Sequence, residues 1–209
     1  MGLRSRSGLN DLESQRDVRG ERQISDRKRK KMSNLWENDC IKSSAFGTGL
    51  MKTSATPLSE IYNFRPIGER LGTAGQPAED QFSTIHGAGF EAVINLALPT
   101  SDNALADEGS IVTSLGMSYV HIPVNFQAPT STDFHTFCHV MAAFEKRRVL
   151  VHCAANKRVS AFVFLYRVLI ERVGIADAER DLRAIWEPDE VWSRFIKDQL
   201  GAQGTDSAR

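Results

Sequence analysis

Cys153 lies in the run Val149-Leu150-Val151-His152-Cys153-Ala154-Ala155-Asn156-Lys157-Arg158-Val159-Ser160. A thiol is a nucleophile as its thiolate, so what surrounds the cysteine decides whether it does chemistry. Val149 to Val151 read as a short apolar strand that ends in His152-Cys153, and Ala154 to Lys157 as a tight loop. A helix then begins near Arg158 or Val159. This order puts the thiol against the positive end of a helix, its unpaired N–H groups and two cations, all of which favour the thiolate. The same features bind an oxyanion. The backbone of Ala154, Ala155, Asn156, Lys157 and Val159 can cradle a phosphate while Arg158 grips two oxygens and the thiolate stands behind the phosphorus. That is the geometry of covalent phosphoryl transfer. Ser160 is expected to hydrogen-bond the sulfur and help it leave. Asn156 is the loop residue best able to adopt a positive φ, because asparagine tolerates it more readily than most non-glycine residues.

The other chemistry-bearing residues have structural readings. Cys138 sits in an apolar helical stripe and is expected in the core, and Cys40 falls in a polar stretch. Three widely spaced cysteines make neither a disulfide framework nor a zinc site. His135 and His139 share a helix face without a third ligand. No metal and no cofactor are expected. Asp102 and Asp107 read as surface or capping residues.

These residues need a scaffold, and from about Leu58 the pattern alternates between strand-like and helix-like segments. Extended chain is expected at Tyr62–Ile67 and Leu71–Ala74, and a helix over Ala78–His86 with Pro77 in its first turn. A buried parallel strand follows at Ala92–Leu96. Next come a helix near Leu105–Leu115, a strand at Tyr119–Val124 and a helix over Phe134–Arg147. In that last helix, Phe134, Phe137, Val140, Met141 and Phe144 form a core stripe. The helix after the cysteine loop carries Phe162, Leu165, Tyr166, Leu169 and Ile170 on one face and stops at Gly174. Two helices, near Ala176–Trp186 and Glu190–Leu200, close the domain around Trp186 and Trp192. The fold class is α/β, a mostly parallel central sheet flanked by helices.

The 209 residues carry 26 basic and 26 acidic side chains, so the formal net charge is zero. The balance is uneven. Residues 1–55 hold twelve basic against seven acidic side chains, including Arg27-Lys28-Arg29-Lys30-Lys31, and read as a basic, disordered tail. Residues 56–200 form the folded domain, and 201–209 a flexible end. No specific nucleic-acid partner is expected. No stretch approaches a membrane span and no secretory leader stands at the N-terminus, so a cytoplasmic protein is expected.

The loop resembles that of the cysteine-dependent protein tyrosine phosphatases, particularly their dual-specificity branch. Thr73-Ala74-Gly75-Gln76-Pro77 and Gly89-Phe90-Glu91-Ala92-Val93-Ile94-Asn95-Leu96 are similar to the bacterial phosphatase-like domains of beta-lactamase-hydrolase-like proteins. The likeness covers roughly Leu58 to Leu200. It implies a phosphatase acting on a phosphomonoester, such as phosphotyrosine or phosphoserine/threonine in a protein. It further implies Cys153 as nucleophile, Arg158 as phosphate-binding arginine, and His152 as the residue that orients the loop and depresses the cysteine pKa. Two departures stand out. The family's loop has five residues between cysteine and arginine, whereas four lie between Cys153 and Arg158. The family's general acid is usually an aspartate on the loop after the preceding strand, where this chain has Asn125. Asp133, further along the same connection, is both the candidate acid and a helix-capping residue. A rhodanese-like sulfurtransferase and a weakly active protein that binds a phosphorylated partner are the alternatives.

Overall fold

Strand-forming runs and helical stripes assemble here into one sheet buried on both faces. A computed structural model describes residues 57–202. The basic tail with Cys40 and the last residues of the chain lie outside the described residues. The strands are β1 (Arg65–Ile67), β2 (Leu71–Ala74), β3 (Ala92–Asn95), β4 (Ser118–His121) and β5 (Val149–His152). They are ordered β1-β2-β5-β3-β4, with β1 antiparallel to β2 and the other pairings parallel. The cysteine strand is therefore central, with His152 in register with Ala74 on one side and Asn95 on the other.

Alternation along the strands divides the core. Val93 and Leu150 face Phe82 and Ile85 of α1 (Gln81–Gly87) and Val112 of α2 (Glu108–Ser114). Ala92, Ile94, Val149 and Val151 face α3 (Ser131–Ala143), α4 (Lys157–Leu169), α5 (Ile175–Arg183) and α6 (Glu190–Ala202). All four residues of β3 and of β5 are buried, as expected of parallel strands covered by helices on both sides. Phe162 of α4 anchors the second layer, its ring 5.5 Å from that of Phe134, 5.7 Å from Phe137 and 5.8 Å from Phe195. Among the described residues, no helix is long and apolar enough to cross a membrane.

Several boundaries move for local reasons. Asn63, at φ +50°, turns the chain, so the first strand starts only at Arg65. Ala78 to Gln81 form a turn closed by Gln81 N–H on Ala78 O, and α1 begins beyond Pro77. Ser101 to Asp107 run in turns, which shortens α2. A capping box between Thr130 and Asp133 starts α3 three residues before Phe134. Gly174 does not stop α4. That helix ends at Leu169, Arg172 takes the left-handed conformation at φ +60°, and Gly174 is the N-cap of α5. Ile170 consequently leaves the apolar face and is exposed.

Candidate active site

β5 ends at His152, and both neighbouring strands hold its end. Cys153 N–H donates to Ala74 O at 3.3 Å, and His152 O accepts from Leu96 N–H at 2.8 Å. Cys153 is buried at the mouth of the loop. The chain then turns through Ala154 and Ala155 into Asn156, whose φ of +65° is the left-handed conformation expected of it. Asn156 is fully buried, and its Nδ2 donates to Asn63 O at 2.8 Å and Thr73 Oγ1 at 3.0 Å. The side chain ties the turn to the β1–β2 edge and leaves the backbone N–H groups unobstructed.

The loop carbonyls are occupied on the outer side. Ala155 O accepts from Asn63 Nδ2 at 3.1 Å, and Ala154 O from Asn103 Nδ2 at 2.9 Å and Gln76 N–H at 3.3 Å. Gly75 bridges Ala155 directly. A Cβ on Gly75 would sit 2.6 Å from the Tyr62 ring and 3.2 Å from Ala154 O, which explains a glycine in Thr73-Ala74-Gly75-Gln76-Pro77. With these carbonyls engaged, the N–H groups of Ala154, Ala155, Lys157, Arg158 and Val159 donate to no backbone acceptor among the described residues, and the first α4 bond is Ser160 N–H to Asn156 O. Successive unpaired N–H groups around a left-handed residue form an anion-binding concavity.

Arg158, in the first turn of α4, is held by the connections that follow β3 and β4. It is 6% exposed, and its Nη1 donates to Leu96 O and Val124 O, both at 3.0 Å, while buried Nε has no partner. Two carbonyls from different connections thus fix the guanidinium by one corner. The fixed fork of N–H groups leaves the Nε edge for a bidentate acceptor. The shortened spacing from Cys153 therefore still yields an arginine that is anchored rather than solvated.

Other expected contacts differ. Ser160 Oγ does not reach the sulfur: it donates to Lys157 O at 3.0 Å and accepts from Trp186 Nε1 at 3.1 Å. Ser160 lies one helical turn beyond Lys157, where a hydroxyl bonds back onto the preceding carbonyl. Lys157 is exposed and stands over the Trp186 ring, Nζ 5.2 Å from its centroid. Asn125 is an exposed turn former, its Oδ1 accepting from Gln127 N–H at 3.0 Å. The Asp133 carboxylate accepts from Thr130 N–H at 3.1 Å and Thr130 Oγ1 at 2.7 Å, so its hydrogen bonds serve the capping box. Trp192 is fully buried, and Phe126 packs against both Trp186 and Trp192. Cys138 is half-buried, and burial pushes its thiol up to about 11, consistent with a core role.

Sequence reasoning missed Glu108. His152 Nε2 lies 2.9 Å from Glu108 Oε1 with both side chains buried. The same carboxylate accepts from Asn95 Nδ2 at 2.9 Å and from Gln76 Nε2. Burial alone would raise the Glu108 carboxyl; the hydrogen bond and charge of His152, with Gln76 and Tyr119, outweigh it and hold the group below its ordinary value. Tyr119 is pushed up by burial and by the neighbouring Glu108 charge. The available signal was spacing: Glu108, Ile111, Val112 and Leu115 share a helix face, and an acid on an apolar face needs a buried partner.

The chain is similar to several known proteins. A family model described as "DSP-PTPase phosphatase fused to NAD+ Kinase" matches residues 68–195. The crystal structure of a candidate phosphatase of the DUF442 group from Shewanella putrefaciens CN-32 is 34% identical, with a TM-score of 0.63 over 69% of this chain and 95% of that one. The core catalytic domain of the PP-IP phosphatase SIW14 from S. cerevisiae, 13% identical, shares the fold, with a TM-score of 0.56 over 69% of this chain and 94% of that one. The beta-lactamase hydrolase-like protein of Xylella fastidiosa is 30% identical over 111 residues, which are 51% of this chain. The match spans about a quarter of that relative's length, 25%. With more than half of its residues matched by that model, this protein belongs to the dual-specificity, protein tyrosine phosphatase-like phosphatases.

Proposed function

We propose that the protein hydrolyses a phosphomonoester through a cysteinyl-phosphate on Cys153. The observation that carries this reading is Arg158: Nη1 is pinned by Leu96 O and Val124 O, and the Nε edge is buried and unpartnered. A buried guanidinium edge without an acceptor is costly, and a phosphate with two equatorial oxygens supplies one. The loop N–H groups add donors for the same anion.

In the first step the Cys153 thiolate attacks phosphorus, an S–P bond forms, and the P–O bond to the leaving group breaks. The departing oxygen leaves as an oxyanion and takes its proton from water, to which the attacking water of the second step returns one. In the second, water attacks phosphorus, the S–P bond breaks, and inorganic phosphate and thiolate are released. Arg158 and the loop amides bind the equatorial oxygens throughout and match the charge they carry in the transition state. We assign the Asp133 carboxylate to the capping box rather than to proton donation, because both of its acceptor bonds go to Thr130. Esters with acidic leaving groups, such as aryl phosphates, are then the favoured substrates, with phosphotyrosine ahead of phosphoserine or phosphothreonine.

The test is hydrolysis of an aryl phosphate in the presence of EDTA by the full chain and by Cys153→Ser. Activity in the wild type that is lost in the variant, with a trapped phosphocysteine, supports the reading. Vanadate binding through Arg158 without hydrolysis would replace it with a phosphate-binding module, and sulfur transfer from thiosulfate to cyanide would overturn it.

A further inference from the structure

The Glu108–His152 pair is the buried ionisable cluster that the proposed reaction does not use, and it ends one residue before the nucleophile. His152 is fully buried, and its ring also packs edge-on to Phe82 at 6.3 Å. An ionised carboxylate only accepts hydrogen bonds, so the 2.9 Å contact requires the proton on Nε2. Nδ1, the other ring nitrogen, is buried without a partner. Asn95 and Gln76 complete the carboxylate's shell, and Asn95 sits beside His152 in the β3–β5 ladder. The group is thus fixed from β2's exit, β3, β5 and α2 together.

We propose that Glu108 is a positioning residue for the Cys153 reaction: through His152 it fixes which imidazole nitrogen carries the proton and supplies the counter-charge for a cationic ring beside the nucleophile. A buried ring without that carboxylate has no compensating charge and stays neutral, and the thiolate loses a neighbouring positive charge. The other ionisable groups at this cluster are Tyr119 from β4, which hydrogen-bonds Asn95 at 3.2 Å, and Cys153 and Arg158 of the loop. Asp107 precedes Glu108 but is exposed. Gln76, Asn95 and Phe82 are neutral. The argument rests on the nucleophile assigned above, yet its test does not depend on turnover.

The experiment measures iodoacetamide alkylation of Cys153 against pH, followed by mass spectrometry of the Cys153 peptide, in the full chain, Glu108→Gln and Glu108→Asp. In Glu108→Gln the midpoint of the alkylation profile is expected to rise by about one unit, equivalent to roughly tenfold slower alkylation below it. In Glu108→Asp, which keeps the charge, the midpoint falls between the two. Melting curves establish that each variant is folded. A folded Glu108→Gln with the wild-type midpoint overturns the proposal and leaves Glu108 a structural residue. Should Glu108→Gln not fold, His152→Gln, which removes the ring that Glu108 holds, decides: a raised midpoint supports the proposal and a wild-type midpoint overturns it. A shifted midpoint in a protein whose wild type hydrolyses no phosphoester would sink the phosphatase reading and leave the Glu108 role standing.

Discussion

Asn156 Nδ2 donates to Thr73 Oγ1 at 3.0 Å, joining the left-handed corner of the cysteine loop to a strand 83 residues earlier. The contact makes asparagine more than a substitute for glycine. Its side chain holds the loop while its backbone takes a conformation that alanine resists. Two substitutions separate these roles. Asn156→Gly keeps φ and loses the hydrogen bonds to Asn63 and Thr73, at a cost of about 1–2 kcal/mol. Asn156→Ala adds the left-handed penalty, roughly 1–2 kcal/mol more. Urea denaturation of both variants gives the order, and equal stabilities would assign the residue's value to the side chain alone.

Asp133 is expected to matter for α3 rather than for turnover. Asp133→Asn weakens the capping box by about 0.5–2 kcal/mol, seen as a lower melting temperature, with kcat per folded molecule unchanged. A large fall in kcat at an unchanged melting temperature would make Asp133 the general acid.

Glu108 links stability to acid. Its folded-state carboxyl lies below the ordinary 4.5, so its contribution is fully present above that value and is lost as pH falls through the lower folded-state value. The part of the stability difference between wild type and Glu108→Gln that comes from this carboxylate therefore shrinks below pH 4.5. Urea titrations across about pH 3 to 6 measure it. A difference that grows toward low pH would reverse the sign.

Gly75 and Gly87 form a matched pair. A methyl group at Gly75 meets the Tyr62 ring and the backbone at Ala154, whereas one at Gly87 meets nothing within 4 Å. Gly75→Ala is expected to cost about 1–3 kcal/mol and to lower activity by displacing the cysteine loop. Gly87→Ala is neutral or stabilising by roughly 0.5–1 kcal/mol. Parallel melting and hydrolysis assays compare them.

Local chemistry was legible in the chain, and long-range partnership was not. The apolar runs at Val93-Ile94 and Val149-Leu150-Val151 marked the parallel strands because burial on both faces leaves no polar alternation. Asn156 was identifiable from its conformational tolerance alone. The separation of Ser160 from Cys153 does not reveal that the hydroxyl donates to Lys157 O, nor that Trp186, 26 residues away in the chain, donates to its oxygen. Glu108 is 44 residues from His152, and Asn103 is 51 from Ala154; neither separation leaves a periodic trace. Asp133 takes part in the capping of α3 from the third helical position, while the N-cap itself is Thr130, which no spacing in the sequence distinguishes from its neighbours.

The placement of β5 between β2 and β3 also dictates an order of events during synthesis. β2 and β3 are each bonded to β5 and not to one another. As the chain emerges, the β1–β2 hairpin and the β3–β4 pair are both available before residue 149 exists, and each presents an unpaired edge toward an empty slot. The strand that leads into Cys153 fills that slot last. Until it does, the Ala74 and Leu96 groups that hold the end of β5 have nothing to hold, so the reactive loop cannot be assembled before the sheet is complete. Cys153 is exposed in the unfinished chain and becomes buried as β5 enters the sheet, so sealing the sheet and enclosing this cysteine become one folding step.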